Sequence, residues 1–597
     1  MTTRSTRSPR RRTVVALGVV LIILCAFVIR LVDIQVVNAQ ENIDNAMDHG
    51  LSTTTVLAGT RGEIVDDDGT PLAVGTLSYT CQFSPNIVRT LTLHDTHGQE
   101  VHVTWDEMSE KIAQITGQSA DELRKAVSDA LIAHPDPKVP AQYAPLAKNL
   151  TTDQYRKITA LGADYVACTP KAARTYPNGA VGGNLIGFMN AEGKPGAGLE
   201  SQYNQCLTPS NGKLTFQNGK DGVIIPGTET ETPAVDGGTL KLTIDSDLQW
   251  YMQQLAEQAT KETGAQYATI SVLDVKTHKL KAAAEYPTVD PNNYDAKGSY
   301  LYSRIFNSQF EPGSTFKGIT AATLIDTGAA TPTSTAQVPW VKHFSNGAVV
   351  NDAFRHGVST YTLAGALMDS SNVGASIFSE RTTLKTRYQY LKKFGIGDGS
   401  AIHFLGETNG IVHPYQDWDN QMRYDTAYGQ GLTTTVPELL TAYEALIDGG
   451  VKYPIQLVDS CTKADGTAVT PTLPKPERVI SEKTSATMRE IFENVALQSN
   501  SYADMVKIPG YRIGVKTGTG QIAENGHYKS GVYYTTMIGF APADDPQYLV
   551  AVTLDQPTKV RSSTANAPTF VKAMTQVLKT YRVMPATKKP TMLPKFG

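Results

Sequence analysis

Ser314-Thr315-Phe316-Lys317 sets a hydroxyl and an amine three residues apart, which is one face of a helix if the segment is helical. Glu311-Pro312-Gly313 reads as a turn leading into it, so Ser314 is expected at a helix N-terminus, where free N–H groups favour developing negative charge. A serine hydroxyl is a poor nucleophile until a base takes its proton. Lys317 can be that base if burial or a second cation lowers its pKa. Two further elements follow in order. Ser370-Ser371-Asn372 follows a short helical stretch (362–369) and offers a hydroxyl to pass a proton and an amide to orient Lys317 and substrate. Lys516-Thr517-Gly518-Thr519 lies between Gly514 and Gly520, before a predicted strand. Lys516 is the candidate second cation, and it could bind a terminal carboxylate together with the Thr517 and Thr519 hydroxyls. Gly518 and Gly520 would let a substrate approach the backbone, as in strand addition. The N–H groups of Ser314 and Thr519 would form an oxyanion hole. Nucleophile, base, relay and anion-binding strand together describe serine acyl transfer.

Each element alone is weak. Ser210-Asn211-Gly212-Lys213 also matches Ser-x-x-Lys, but its Asn-Gly reads as a turn. Ser84-Pro85-Asn86 matches Ser-x-Asn but precedes any nucleophile. For Ser314 in isolation the bland reading is a helix cap with a surface lysine. The order of the three elements within one domain is what makes them specific.

Those elements need a frame. Tyr267–Leu273 and Leu280–Glu285 flank a turn and read as a hairpin, and two more strand-like runs are Val532–Phe540 and Tyr548–Leu554. Strands at both ends of a long helical segment predict one α/β domain whose sheet is assembled from sequence-distant parts. Ser246 or Asp247 could cap a helix with Leu248, Tyr251, Met252, Leu255 and Ala259 on one face. Pro568 suits the first turn of another, with Phe570, Val571, Met574, Val577, Leu578 and Tyr581 on its face. Upstream, Ile64-Val65 with Asp68-Gly69 reads as a strand entering a hairpin turn, and residues 108–132 as helix broken at Gly117. Asp236-Gly237-Gly238-Thr239 is a boundary turn.

The chain has 597 residues, which predicts two or three domains, and a formal net charge of -3, which gives no reason to expect nucleic acid. Arg4, Arg7, Arg10, Arg11 and Arg12 precede an uncharged apolar run from Thr13 to Ile29, extended by Leu31, Val32, Ile34, Val36 and Val37. This predicts an uncleaved membrane anchor with the arginines cytoplasmic and the remainder outside. The competing reading is a cleaved signal peptide, with Val37-Asn38-Ala39 as the small-residue site. Of five cysteines, Cys81, Cys168, Cys206 and Cys461 lie where disulfides can form. A Cys168–Cys206 pair and four free thiols are both open readings. No CxxC pair, metal site or cofactor is indicated. His94-Asp95-Thr96-His97 with His102 reads as a solvated loop rather than a metal site.

Glu311-Pro312-Gly313-Ser314-Thr315-Phe316-Lys317, Ser370-Ser371-Asn372-Val373-Gly374 and Gly514-Val515-Lys516-Thr517-Gly518-Thr519 resemble the three active-site elements of the class B penicillin-binding proteins. Arg61-Gly62-Glu63-Ile64, Gly198-Leu199-Glu200, Leu242-Thr243-Ile244-Asp245, Tyr428-Gly429-Gln430-Gly431 and Gly539-Phe540-Ala541-Pro542 resemble that family too. The resemblance implies a peptidoglycan D,D-transpeptidase whose Ser314 attacks the D-Ala-D-Ala bond of a stem peptide. A second stem's amine would resolve the acyl-enzyme, and penicillin and other β-lactams would acylate the same serine. It implies Ser314, Lys317, Ser370, Asn372 and Lys516 as catalytic residues and Thr517, Gly518 and Thr519 as substrate-binding.

The implied architecture is a single transmembrane helix, an elongated α+β pedestal domain and a transpeptidase domain with an antiparallel sheet flanked by helices. The corresponding spans are a cytoplasmic tail (1–12), an anchor (13–36), a stalk (37–57), a dimerisation or pedestal domain (58–236), the transpeptidase domain (237–583) and a loose tail (584–597). The family resemblance implies a polytopic membrane glycosyltransferase as partner, and the Arg-rich tail and Arg30–Gln35, which resemble the septal branch, imply other division proteins. The family often has Ala at the position of Gly520, an exchange expected to be neutral. The alternatives are a DD-carboxypeptidase and a non-catalytic scaffold. A β-lactamase would need a water-activating glutamate, and Glu407 reads as a loop carboxylate.

Overall fold

The computed structural model describes residues 9–39, 52–94, 97–136, 138–217, 225–296, 300–524 and 527–597. They form two compact units. One comprises residues 1–59 and 209–235, the other 60–208 and 236–597.

In the first unit a helix spans Pro9–Val32 and continues as a π-helical turn over Asp33–Val37. The run Thr13–Val37 has a mean hydropathy of 3.0 and leaves its side chains exposed, as a helix long and apolar enough to cross a membrane. Arg30 pairs with Asp33 at its far end. The expected stalk (37–57) is corrected at its end: Ser52–Leu57 is a strand, antiparallel to Gly212–Gln217, which pairs in turn with Thr230–Thr232. Residues 40–51 lie outside the described residues. The decoy Lys213 sits inside that sheet, with Ser210 just before it.

In the second unit the strand Pro71–Phe83 pairs antiparallel with Ile64–Val65, and Gly69 supplies the left-handed turn between them (φ 91°). Val166–Thr175 and Ala144–Leu150 also pair with Pro71–Phe83. The helices Trp105–Thr116 and Ala120–Ala133 pack Met108, Ile112, Leu123 and Val127 against Phe83 and Tyr165, a core of its own. Thr104 and Glu107 form a capping box on the first helix, and Gly117 ends it with φ 76°. Cys81 faces Cys168 across adjacent strands and is bonded to it, while Cys206 is bonded to Cys461. The suggested Cys168–Cys206 pair is therefore corrected. Proximity in the fold, invisible in linear spacing, decides the partners. His94 and His102 lie on the paired strands Leu91–His94 and Glu100–Val103, and Asp95 and Thr96 lie outside the described residues.

Arg61, Glu200 and Arg174 form a buried ion triad. Glu200 accepts from Arg61 Nε at 2.7 Å and from Arg174 Nε at 2.6 Å. Arg174 also donates to the Gly62 carbonyl, and a Cβ on Gly62 would stand 1.9 Å from Gly238 O. These bonds tie residues 60–62 to 174, 200 and 238.

The site's frame is an antiparallel sheet of β1 (Tyr267–Asp274), β2 (Lys279–Tyr286), β3 (Gly514–Glu524), β4 (His527–Ala541) and β5 (Tyr548–Asp555) in the order β2-β1-β5-β4-β3. The predicted assembly from distant segments holds: β1 pairs with β5 along its length, Tyr267 opposite Asp555. Val272, Ala282, Met537, Ile538, Val550 and Val552 are fully buried, which is why these strands read as apolar runs. Helix α1 (Ser246–Thr263) packs on β1 and β2. Its cap is Asp245, one residue before the expected position, accepting from Leu248 N at 2.9 Å. Near the end of the chain, α6 (Ala567–Thr580) has Pro568 in its first turn and buries Phe570, Met574, Val577 and Leu578. Between them lie α2 (Lys317–Asp326), α3 (Leu363–Met368), α4 (Asn372–Ser379) and α5 (Glu482–Gln498).

The loose tail expected at 584–597 is also corrected. Asn494 and Gln498 on α5 hydrogen-bond the backbone of Thr591 and Leu593, and Thr362 bonds the carbonyls of Pro594 and Lys595. A proline- and lysine-rich composition said nothing of these pairings.

Candidate active site

Ser314 lies in a 3-10 turn, Gly313–Phe316, that runs directly into α2. Gly313 has φ 55°, and its N–H bonds Gly429 O at 2.9 Å. A Cβ on Gly313 would meet Thr519 O at 2.6 Å, and one on Gly429 would meet Gly313 O at 2.1 Å. The Gly residues of Glu-Pro-Gly-Ser and Tyr-Gly-Gln-Gly thus meet each other, and the first also meets β3. Glu311 carries this seam outward. Its carboxylate accepts from Gly431 N at 3.0 Å and Tyr528 Oη at 2.8 Å, and burial raises its pKa to about 7.

Lys317, in the first turn of α2, is 1 % exposed. Its Nζ donates to Ser314 Oγ at 2.8 Å, to Asn372 Oδ1 at 2.7 Å and to the Ser370 carbonyl. Burial pulls its pKa down to about 7, against the opposing pull of Asp352. Of the two expected causes, burial and a second cation, burial is the chief one at Lys317. Lys516 is itself held well below the ordinary lysine range, first by burial and then by Lys317. Two buried amines in one pocket resist holding two protons, and that repulsion adds to the lowering at Lys516.

Ser370 stands between them. Its Oγ is 2.9 Å from Lys516 Nζ and 3.4 Å from Lys317 Nζ. It follows α3 in the left-handed region, φ 56°, a conformation that costs a non-glycine residue about 1 kcal/mol. Ser371 caps α4, its Oγ accepting from Gly374 N at 2.8 Å, and Asn372 is the first helical residue. Asp352 holds this turn from behind. It accepts from Ser371 Oγ at 2.6 Å and Val373 N at 2.9 Å, and His356 Nε2 lies 2.9 Å from it. Neither Asp352 nor His356 carries a signal in the linear sequence, because their partners lie well downstream.

Lys516, Thr517, Gly518 and Thr519 lie on β3, the edge of the sheet. Cβ atoms on Gly518 and Gly520 would meet Pro312 O at 2.4 Å and Glu311 O at 2.0 Å. The two-residue period places Lys516 on that same face, toward α2. The room these glycines leave is filled by the chain's own 311–312 backbone, not by substrate, which corrects the strand-approach reading for that face. A Cβ at 520 would press on the Glu311 carbonyl, which argues against the expectation that Ala there is neutral. Thr517 is buried and Thr519 half-buried. Glu407 receives Ser400 N and Phe404 N at 2.8 and 2.9 Å, a loop-holding carboxylate.

The site brings together the residues predicted from Ser314, Ser370 and Lys516 onward, in a pocket where an amine that burial holds at a lowered pKa touches the serine hydroxyl. Such an arrangement can deprotonate Ser314 and hand a proton onward through Ser370.

Residues 268–575 match the penicillin binding protein transpeptidase domain, and residues 56–242 the penicillin-binding protein dimerisation domain. The chain is 30% identical to the penicillin-binding protein PbpB of Mycobacterium tuberculosis over 93% of its length and 84% of that protein. It is 28% identical to the peptidoglycan D,D-transpeptidase FtsI of Escherichia coli, over 88% of this chain and 84% of that one. Among solved structures, penicillin binding protein 3 of Mycobacterium tuberculosis complexed with aztreonam superposes with a TM-score of 0.67 at 26% identity. That match covers 90% of this chain and 99% of the other.

Proposed function

This chain belongs to the penicillin-binding protein transpeptidase family, and from that premise we propose that it cross-links peptidoglycan stem peptides through an acyl-enzyme on Ser314. The observation that carries this reading is the Lys317 amine: buried, shifted to about 7, and in contact with both Ser314 Oγ and Asn372.

In this reaction Lys317 takes the Ser314 proton as Oγ bonds to the carbonyl carbon of the penultimate D-Ala. The N–H groups of Ser314 and Thr519 stabilise the oxyanion. The C–N bond then breaks, and the departing D-Ala amine receives its proton through Ser370, which Lys516 orients. Thr517, Gly518 and Thr519 on the open edge of β3 hold the donor peptide, with Lys516 answering its terminal carboxylate. A second stem's amine attacks the ester, losing its proton to Lys317 and releasing Ser314. A β-lactam enters at the first step and, lacking a departing fragment, leaves Ser314 acylated.

The N-terminal helix anchors the chain in the cell membrane with the arginines cytoplasmic and the catalytic domain outside. Similarity to PbpB and FtsI supports a place in septal wall synthesis. A polytopic glycosyltransferase that makes the glycan strands and other division proteins are the partners we propose for it there.

An intact-mass and peptide-mapping time course with benzylpenicillin tests the reading. A long-lived adduct on Ser314, absent in Ser314→Ala, is expected, together with cross-linked product and free D-Ala from stem peptides. An adduct that clears rapidly, or D-Ala release without cross-links, would move the assignment to a hydrolase or DD-carboxypeptidase. No adduct from folded protein would favour a scaffold.

A further inference from the structure

One residue before Ser370 lies a buried ion contact that the mechanism above does not use. Lys595 Nζ is 2.6 Å from Asp369 Oδ1, with both side chains nearly buried (13% and 12% exposed). The amine also donates to Gln498 O at 3.0 Å. Tyr361 Oη donates to the other Asp369 oxygen at 3.0 Å. Asp369 directly precedes Ser370, and both hang on the last turn of α3: Asp369 N bonds Gly365 O and Ser370 N bonds Leu367 O, each at 3.1 Å.

The segment that delivers Lys595 is seated closely. Asn494 on α5 donates to Thr591 O at 2.8 Å and accepts from Leu593 N at 2.9 Å. Thr362, the α3 cap, donates to Pro594 O at 2.7 Å. A Cβ on Gly365 would stand 1.9 Å from Lys595 O, so glycine at 365 is what lets the segment lie against α3. Residues 591–597 therefore join α3, which carries Ser370, to α5, which packs on β3 and its Lys516.

We propose that Lys595 is a positioning residue for the acyl-transfer reaction: by pairing with Asp369 it fixes the left-handed Ser370 between Lys317 and Lys516. Two features make the pair matter. The Ser370 backbone is in a conformation that its neighbours must hold in place. Asp369 is a carboxylate one residue from a pocket containing two lysines, and the remaining groups around it, Tyr361, Tyr502 and His356, bring no permanent positive charge. Without Lys595 it would be a nearly buried, uncompensated anion, which rearranges or draws a new partner.

The proposal rests on the acyl-serine reading, and the experiment separates the two. The full chain in detergent or nanodiscs is reacted with benzylpenicillin, and the second-order rate of Ser314 acylation is followed by mass, alongside the thermal midpoint. Lys595→Met is expected to slow acylation about ten-fold, Lys595→Arg to stay within about three-fold of the wild type, and Asp369→Asn/Lys595→Met to recover most of the loss. Wild-type rates in Lys595→Met would overturn the proposal and leave the acyl-serine reading intact. Equal losses in Lys595→Met and the double variant would also overturn it, since that pattern follows from a missing side chain rather than an unpaired charge. Absence of acylation in the wild type would defeat both.

Discussion

Lys317 and Lys516 reach the same hydroxyl: Ser370 Oγ is 3.4 Å from one amine and 2.9 Å from the other. Both amines are held below the ordinary lysine value, Lys317 at about 7. The base acts only when neutral, so acylation of Ser314 is expected to rise with pH through about 7 and then level off. A chromogenic β-lactam read from about pH 5.5 to 8.5 checks this. A flat profile, or one still climbing at the top of the range, would contradict the assignment of Lys317 as base.

Gly520→Ala places a Cβ 2.0 Å from the Glu311 carbonyl. The turn that presents Ser314 must move to admit it. Acylation is expected to slow by about ten-fold and the thermal midpoint to fall, since overpacking typically costs about 1–3 kcal/mol. Unchanged kinetics would mean that the turn shifts freely without carrying Ser314 with it.

Asp352→Asn removes the negative charge that favours the protonated form of Lys317. The Lys317 pKa should then fall further, and the acid limb of the acylation profile should move to lower pH. The plateau rate should fall as well, because Asp352 also receives Ser371 Oγ and Val373 N and so places Asn372. A limb displaced toward higher pH would reverse the sign and refute the charge argument.

Glu200→Gln leaves Arg61 and Arg174 buried with a neutral partner. A loss of about 3–5 kcal/mol follows from breaking such a pair, visible as a lower denaturation midpoint. Its partners are Arg61, Arg174 and Tyr176, so the folded fraction should acylate at the wild-type rate. Parallel loss of acylation per folded molecule would show coupling between the triad and the site.

Ser314, Lys317, Ser370, Asn372 and Lys516 could be read from the chain because acyl transfer demands those side chains in short, ordered motifs. Four strands of the sheet could be read because they are apolar runs, whereas β3, with Lys516, Thr517 and Thr519 on it, was expected only to precede a strand. The glycines were visible but were assigned the wrong neighbour: the need for space at 518 and 520 is a property of β3, while its cause is the backbone of 311–312. Asp352, Lys595 and the disulfide partners were illegible for one reason. Each meets its counterpart only after folding, and nothing in its local composition marks it. The segment 584–597 shows the same limit, since its backbone hydrogen bonds go to Asn494, Gln498 and Thr362, residues far from it in sequence.

The sheet order β2-β1-β5-β4-β3 has a consequence for how the protein is made. Thr269 on β1 bonds Thr553 on β5 at 2.6 Å across 284 residues of sequence. On a ribosome adding roughly ten residues each second, the apolar edge of β1 waits on the order of half a minute for its partner. Through that interval the hairpin of β1 and β2 is an unpaired sheet edge emerging ahead of the nucleophile, the relay and Cys461, the partner of Cys206. An exposed edge of that kind must be kept from pairing with another chain until β5 arrives.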